Sequence, residues 1–551
     1  MKTRGSWKAR LQFEVAMFNT EDTENTENHG GVLQPCLGQR ELRPTSASPD
    51  RGSVTRSNLR PDYGRAANRG AVHSRVAAGH RPAVRAMCLL AAFLLAGCAS
   101  YVEQRSPQEG EGQPAAPGKF SHADDSLKPN AASDSDTWWK AFKDPTLDSL
   151  MQQLEAANPD LEAALARVDQ SLAALGISRG PLLPTITADA AAGRRRDSVN
   201  NLLFPIAMPE YERYRLGMSA TWELDLWGRV RGAVKRDSLR AEASELEYRA
   251  ALLSMQGELA RQYFAWRTAS RELRINSEAV RLREENLKLQ QSRLELGSGV
   301  EIDVARARVE LSNASAGEEA AARNVGKIRH AIAALIGQAP ADFTAELAAD
   351  AEAAAIQRVA VPAGVPSELL NRRADLRAAD RSLRAAAVQV GIRKADFLPR
   401  ITLNGSGGVA SLRTSNLFDS GSGFFDVGPQ IDVPVFQSGR RKSSVAEAKA
   451  QWREASANYR GALLTAVREV DDALLDLKSL AREAVARSEV VTAAIKAAEA
   501  AKTRHESGLA NYFEVIDAER DRLQARLAEN ALHGMQQAAS VNLIQALGGG
   551  W

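Results

Sequence analysis

The chain has 551 residues, with Lys+Arg 71 against Asp+Glu 68, charged residues at 25 % and aromatics at 5 %. Charges so evenly balanced and interspersed leave no electrostatic footprint for nucleic acid and read as solvated helix faces. The only cysteines are Cys36, Cys88 and Cys98, so the sequence beyond residue 98 can hold neither a disulfide nor a cysteine-based metal site.

In chain order, residues 1–80 are polar and without a sustained period, and are expected to be a disordered, non-native extension from an over-long gene start. Residues 81–97 read as a secretory signal. Arg81 and Arg85 flank an apolar run from Ala86 to Gly97, 12 residues long, which is too short to span a bilayer as a helix. Residues 98–136 are rich in Ser, Pro, Gly, Asp and Glu and read as a flexible linker.

The body is a tandem repeat, with one unit at 137–345, a linker at 346–365 and a second unit at 366–551. Residues 160–187 reappear at 375–402 with a constant offset of 215, and farther on the offset settles at 211. Gly228-Arg229 thus aligns with Gly439-Arg440, Gly297 with Gly508, and Gly337 with Gly548. Each unit is expected to open with a helix (146–179; 366–396). A strand pair should follow (183–193 with 214–227; 399–411 with 424–435), then a very long helix and a shorter one (300–337; 511–547).

The long helices carry a heptad. Leu252, Leu259, Trp266, Leu273, Val280, Leu287 and Leu294 recur every seven residues, the period of coiled-coil packing. The strands alternate apolar and polar side chains, as in Leu216, Met218, Ala220 and Trp222 against Gly217, Ser219, Thr221 and Glu223. That period suits a membrane barrel with a watery lumen and equally a half-buried soluble sheet. The loops are expected to contain Arg194-Arg195-Arg196 and Ser411–Gly423. Four strands cannot close a barrel, and lipid tolerates no open edge. In a membrane, several chains must share one barrel, which requires cyclic symmetry.

No Walker A loop, HExxH or paired CxxC occurs, and the four histidines beyond Cys98 have no metal-ligand spacing. No catalytic site, metal or enzyme activity is expected.

Several motifs in fixed order carry a family resemblance. They are Leu95-Ala96-Gly97-Cys98; Trp138-Trp139-Lys140-Ala141-Phe142-Lys143-Asp144-Pro145; Asn158-Pro159-Asp160-Leu161; Trp222-Glu223-Leu224-Asp225-Leu226-Trp227-Gly228-Arg229; and the terminal Ala546-Leu547-Gly548-Gly549-Gly550-Trp551. Together they resemble the outer-membrane factor (TolC/OprM-type) efflux family, and within it the NodT-like lipoprotein branch. The resemblance implies a mainly α fold with transmembrane β. In it, a homotrimer builds a twelve-stranded outer-membrane β-barrel above a periplasmic tunnel of long helices. It implies diacylglyceryl and N-acyl lipid on Cys98 and no other cofactor. The implied partners are outer-membrane lipids, a periplasmic adaptor protein and an inner-membrane pump that supplies the energy.

The resemblance also places a periplasmic gate, a ring of carboxylates favouring cations, on Glu514 and Asp517, with Asp303 equivalent to Glu514 in the repeat. Arg293 and Arg504 are the implied tethers, pairing with neighbouring acids. The family's gate aromatic corresponds to His505 and a gate-linked Arg to Ala510. Two other readings stay open: a periplasmic coiled-coil structural lipoprotein, and the outer-membrane duct of a protein secretion system.

Overall fold

The computed structural model describes residues 101–107, 120–121, 135–196, 210–344 and 372–549. Cys98, the expected extension 1–80, the signal 81–97 and the inter-repeat linker 346–365 lie outside the described residues. In chain order the elements are α1 (Tyr101–Arg105), a 3-10 stretch (Ser135–Phe142), α2 (Pro145–Ala157), α3 (Pro159–Arg179), β1 (Thr185–Arg195) and β2 (Tyr211–Glu223). There follow α4 (Arg229–Glu295), α5 (Glu301–Leu335), α6 (Ala374–Ala395), β3 (Arg400–Ser411), β4 (Gly423–Asp432), α7 (Arg440–Glu506) and α8 (Tyr512–Ala546).

The repeat is visible in these bounds. α4 and α7 each have 67 residues and α5 and α8 each have 35. A 67-residue helix is about 100 Å long. The heptad faces its neighbours: Leu259 and Trp266 of α4, and Leu463, Val470 and Ala498 of α7, are buried. Gly337 and Gly548 end α5 and α8 in the left-handed region, with φ of 71° and 92°, a conformation glycine adopts at little cost. At Gly337 a Cβ would sit 2.1 Å from the Ala157 carbonyl oxygen.

The main hydrophobic cluster lies midway along α4. Trp138, Leu147, Leu150 and Leu154 pack onto Leu259, Tyr263 and Phe264 of α4, Ile332 of α5, Leu463 and Val470 of α7, and Ile544 of α8. Each such side chain contributes about 1.5–3 kcal/mol when fully buried. Asp144 anchors the cluster's polar edge. One carboxylate oxygen caps α2, accepting from Thr146 N at 3.0 Å. The other accepts from the Tyr263 hydroxyl at 2.6 Å and from Arg267 at 3.2 Å. Burial, then the hydrogen bond to Asp144 and its charge, push the Tyr263 hydroxyl well above the usual range for a phenol.

Three expectations are corrected by the structure. The single helix at 146–179 is two helices, because Pro159 starts a new one and Asn158 caps it, accepting from Leu161 N at 2.9 Å. Asn158 also donates to the Leu335 carbonyl at 2.7 Å, tying the break to α5. The helix expected to run unbroken over 366–396 is interrupted at Arg373, which is extended (φ −72°, ψ 120°), so that α6 starts at Ala374; residues 366–371 lie outside the described residues. Arg194 and Arg195, expected in a loop, extend β1 opposite Glu212 and Tyr211.

The strands form one antiparallel sheet in the order β1-β2-β3-β4, with the register fixed by pairs such as Met218 with Ala188 and Gly407, and Gly405 with Val427. One face carries Ile186, Ala188, Ala190, Leu216, Met218, Leu403, Val409, Phe425, Val427 and Ile431. Phe425 on that face is 88 % exposed. The opposite face carries Thr187, Asp189, Ser219, Thr221, Asn404, Asp426 and Gln430. Here Thr187 bonds Ser219 at 2.7 Å, Asn404 donates to Gln430 at 3.0 Å, and Arg215 pairs with Asp189 at 3.4 Å while lying over the Phe424 ring. A slip of one residue would exchange the two faces. β1 and β4 are open edges within the chain.

The sequence Glu223-Leu224-Asp225-Leu226-Trp227-Gly228-Arg229 forms the joint between sheet and helix. Arg229 grips Glu223 through two hydrogen bonds, at 2.9 and 2.5 Å. Asp225 accepts from the first backbone N–H groups of α4, Val230 at 3.0 Å and Arg231 at 2.8 Å. Gly228 makes the turn at φ 74°, and the Trp227 indole donates to the Pro399 carbonyl at 2.7 Å, just ahead of β3.

Candidate functional site

The expected gate residues gather where the long helices turn back, at residues 296–300 and 507–511. Both turns are closed alike. Gly297 and Gly508 take φ of 74° and 75°, and the amides of Ser298 and Leu509 reach back to the carbonyls of Arg293 and Arg504 at 2.9 and 2.8 Å. Arg293 and Arg504 thus occupy the last turns of α4 and α7, and Asp303 and Glu514 the first turns of α5 and α8. Each charge complements the helix dipole at its own end.

An apolar knot joins the two hairpins. Ala307 of α5 packs with Tyr512, Val515 and Ile516 of α8, and with Leu287 and Ala501. The buried face of α8 is therefore set by positions 512, 515 and 516. Glu514 and Asp517, three residues apart on α8, are both exposed. The structure brings these two to one outward face, and Arg504 reaches Glu514 at 3.8 Å.

Asp303 is not part of that outward pair. It is half-buried beside Tyr512. Burial, followed by the Glu310 and Asp303 charges, pushes the Tyr512 hydroxyl up to about 12. Arg293 differs from expectation as well. Its partner is an imidazole, not an acid: Arg293 Nη1 lies 2.8 Å from His505 Nε2.

A second polar tie was not foreseen. Glu310 of α5, 7 % exposed, accepts from Arg520 of α8 and lies 3.6 Å from Arg283 of α4. It crosses from one hairpin to the other beneath the apolar knot. In sequence, Glu310 is one charged residue among many on α5. Its pairing with Arg520, 210 residues away, follows only once the hairpins are docked. Alongside the knot, α4, α7 and α8, with Glu310 of α5, line a groove of about 580 Å³ that runs to Arg293 and His505.

The model of the Outer membrane efflux protein family matches residues 150–338 and again 365–549. The chain belongs to this family. Among relatives of this efflux protein, the Solvent efflux pump outer membrane protein SrpC of Pseudomonas putida is 32 % identical over 413 residues, covering 74 % of this chain and 86 % of SrpC. The Probable outer membrane lipoprotein SilC of Salmonella typhimurium is 27 % identical over 466 residues, covering 83 % of this chain and 97 % of SilC. Among solved structures, the outer-membrane channel OprN superposes with a TM-score of 0.75 at 30 % identity, covering 81 % of this chain and 99 % of OprN. The efflux protein is thus an outer-membrane duct, mainly helical, with a four-stranded antiparallel sheet.

Proposed function

We propose that three copies of this efflux protein close into one passive exit duct for small molecules, fed by an inner-membrane pump through a periplasmic adaptor. The observation that carries this is the sheet. Its apolar face is continuous across four strands, yet β1 and β4 have open edges, which lipid does not tolerate. Joining β4 of one copy to β1 of the next removes every edge, turns the apolar face to lipid and lines the lumen with Thr187, Ser219 and Gln430. The helical part supports the same closure. Leu464, Leu475, Val485 and Val490 of α7 are exposed within the chain and supply apolar surface for a neighbouring copy. The naming of SrpC as a solvent efflux pump protein supports small molecules as cargo.

In this duct the tips are the gate. Glu514 and Asp517, replicated around the axis, form a carboxylate ring that favours cations. Arg504 restrains Glu514, while Arg293 ties α4 to α7. Asp303 stands apart from the ring, and its charge acts on the Tyr512 hydroxyl. The test is the mass of the detergent-purified protein together with its conductance in planar bilayers. A trimer is expected, and the double change Glu514→Gln with Asp517→Asn should lower cation preference severalfold. A monomer that forms no pores would sink the reading.

Cys98 is the proposed site of the lipid anchor. The segment just after it is held where sheet meets helices: Val102 packs against Ile392 and Ala395 of α6, with Ala233 of α4 beside it. Cys98 is three positions before Tyr101, a reach of about 10 Å, so acyl chains on Cys98 would enter the membrane beside the barrel. Cys98→Ser is expected to abolish palmitate labelling. Labelling that persists would refute the assignment.

A further inference from the structure

We propose that His505 is a positioning residue of the gate, holding Arg293 only while its imidazole is neutral, so that mild acid releases the tip. The inference rests on reading the tips as the gate. His505 is half-buried in the last turn of α7. Its Nδ1 lies 3.0 Å from the Ala510 carbonyl oxygen and its Nε2 2.8 Å from Arg293 Nη1. A guanidinium only donates hydrogen bonds and a carbonyl only accepts them. Both contacts are satisfied by one species alone: the neutral ring with its proton on Nδ1 and a lone pair on Nε2. Protonation converts Nε2 to a donor and sets a second cation against Arg293, so the bond linking the ends of α4 and α7 is lost.

The two halves of the chain differ at this position. The repeat-equivalent of His505 is Leu294, which does not titrate, and Arg504, the equivalent of Arg293, pairs with Glu514 instead. The latch thus joins the two tips but carries its titrating side chain on one of them, the end of α7.

Two of the acids around the latch already have cations of their own: Glu285 pairs with Arg281 at 3.7 Å and Glu519 with Arg522 at 2.7 Å. In the groove around the imidazole, α4 presents Glu278, Arg283, Glu285 and Arg293, α7 presents Glu499, Lys502 and Glu506, α8 presents Tyr512, Glu519, Arg522 and Arg526, and α5 presents Glu310. Glu310 is already committed to Arg520 and Arg283. Tyr512, whose ring lies 5.9 Å from the imidazole, stays neutral across the physiological range because its hydroxyl is pushed up to about 12. Imidazole is the ordinary side chain that changes charge between pH 5 and 8.

The test is single-channel recording of the purified full chain in planar bilayers at pH 7.5 and 5.5. Wild type should show an open probability about tenfold higher at the lower pH, the effect of losing one charge-assisted hydrogen bond. His505→Gln keeps an acceptor for Arg293 but cannot gain a proton, and should be flat and closed at both values. Arg293→Met should be flat and open. If His505→Gln responds to acid as wild type does, or if wild type does not respond, the latch is wrong although the duct stands. If no variant forms pores, including Glu514→Gln with Asp517→Asn, the duct reading fails and takes the latch with it.

Discussion

Val427→Arg is expected to abolish assembly of the efflux protein in the outer membrane, whereas Gly428→Arg at the same depth is expected to be tolerated. Val427 lies at the middle of β4 on the apolar face, and Gly428 points the other way, with open space where its Cβ would stand. Arginine facing lipid at mid-bilayer costs a barrel about 2–4 kcal/mol, and closure repeats the change once per copy. Against a total stability of about 5–15 kcal/mol for a typical domain, that is decisive. On the lumen side the same side chain meets water. The fraction of heat-modifiable oligomer in outer-membrane extracts measures the effect. Equal behaviour of the two variants would show that the sheet does not have a lipid face and a water face.

Trp138→Ala should be the most damaging change in the helical part, costing about 3–5 kcal/mol. The indole is fully buried. It meets Trp139 and Phe142 edge-on, with ring centroids 6.0 and 6.3 Å away, and donates to Gln256 of α4 at 3.2 Å. Removing it leaves a cavity and also strands Gln256, whose amide holds Glu155 at 2.9 Å. The expected result is a clear drop in the apparent unfolding temperature of the helices followed by circular dichroism. An unchanged transition would mean that the 3-10 stretch is not fixed to α4 as described.

Large-scale architecture was readable in the sequence because it is periodic. The heptad from Leu252 to Leu294, the alternation from Leu216 to Trp222 and the offset of 211 each reflect a repeated physical requirement, so each survives without a structure. Single events were less legible. The break at Asn158 is written in Asn158-Pro159, since the residue before proline is driven out of the α region, yet helical periodicity continues on both sides and hides it. The motif from Glu223 to Arg229 stands out as a signature, but its work as a joint depends on Asp225 and Glu223 folding back over the first turn of α4. At the tips, the placement of Glu514 and Asp517 together in the first turns of α8 was legible, whereas the partner of Arg293 was not. The ion pairing expected of an arginine near many acids lost to a histidine 212 residues away, because α4 ends against α7 and not against a carboxylate.

The matched lengths of the two halves restrict how this protein can change size. Adding one residue to a helix turns its end by about 100° and advances it by about 1.5 Å. A deletion in α4 alone would leave its tip rotated away from the knot and out of level with that of α7. Whole heptads, about 10 Å each, are the increments that restore the packing face, and they must be gained or lost in α4, α5, α7 and α8 together. The distance the duct spans is therefore available only in discrete steps, each one requiring four coordinated changes in a single gene.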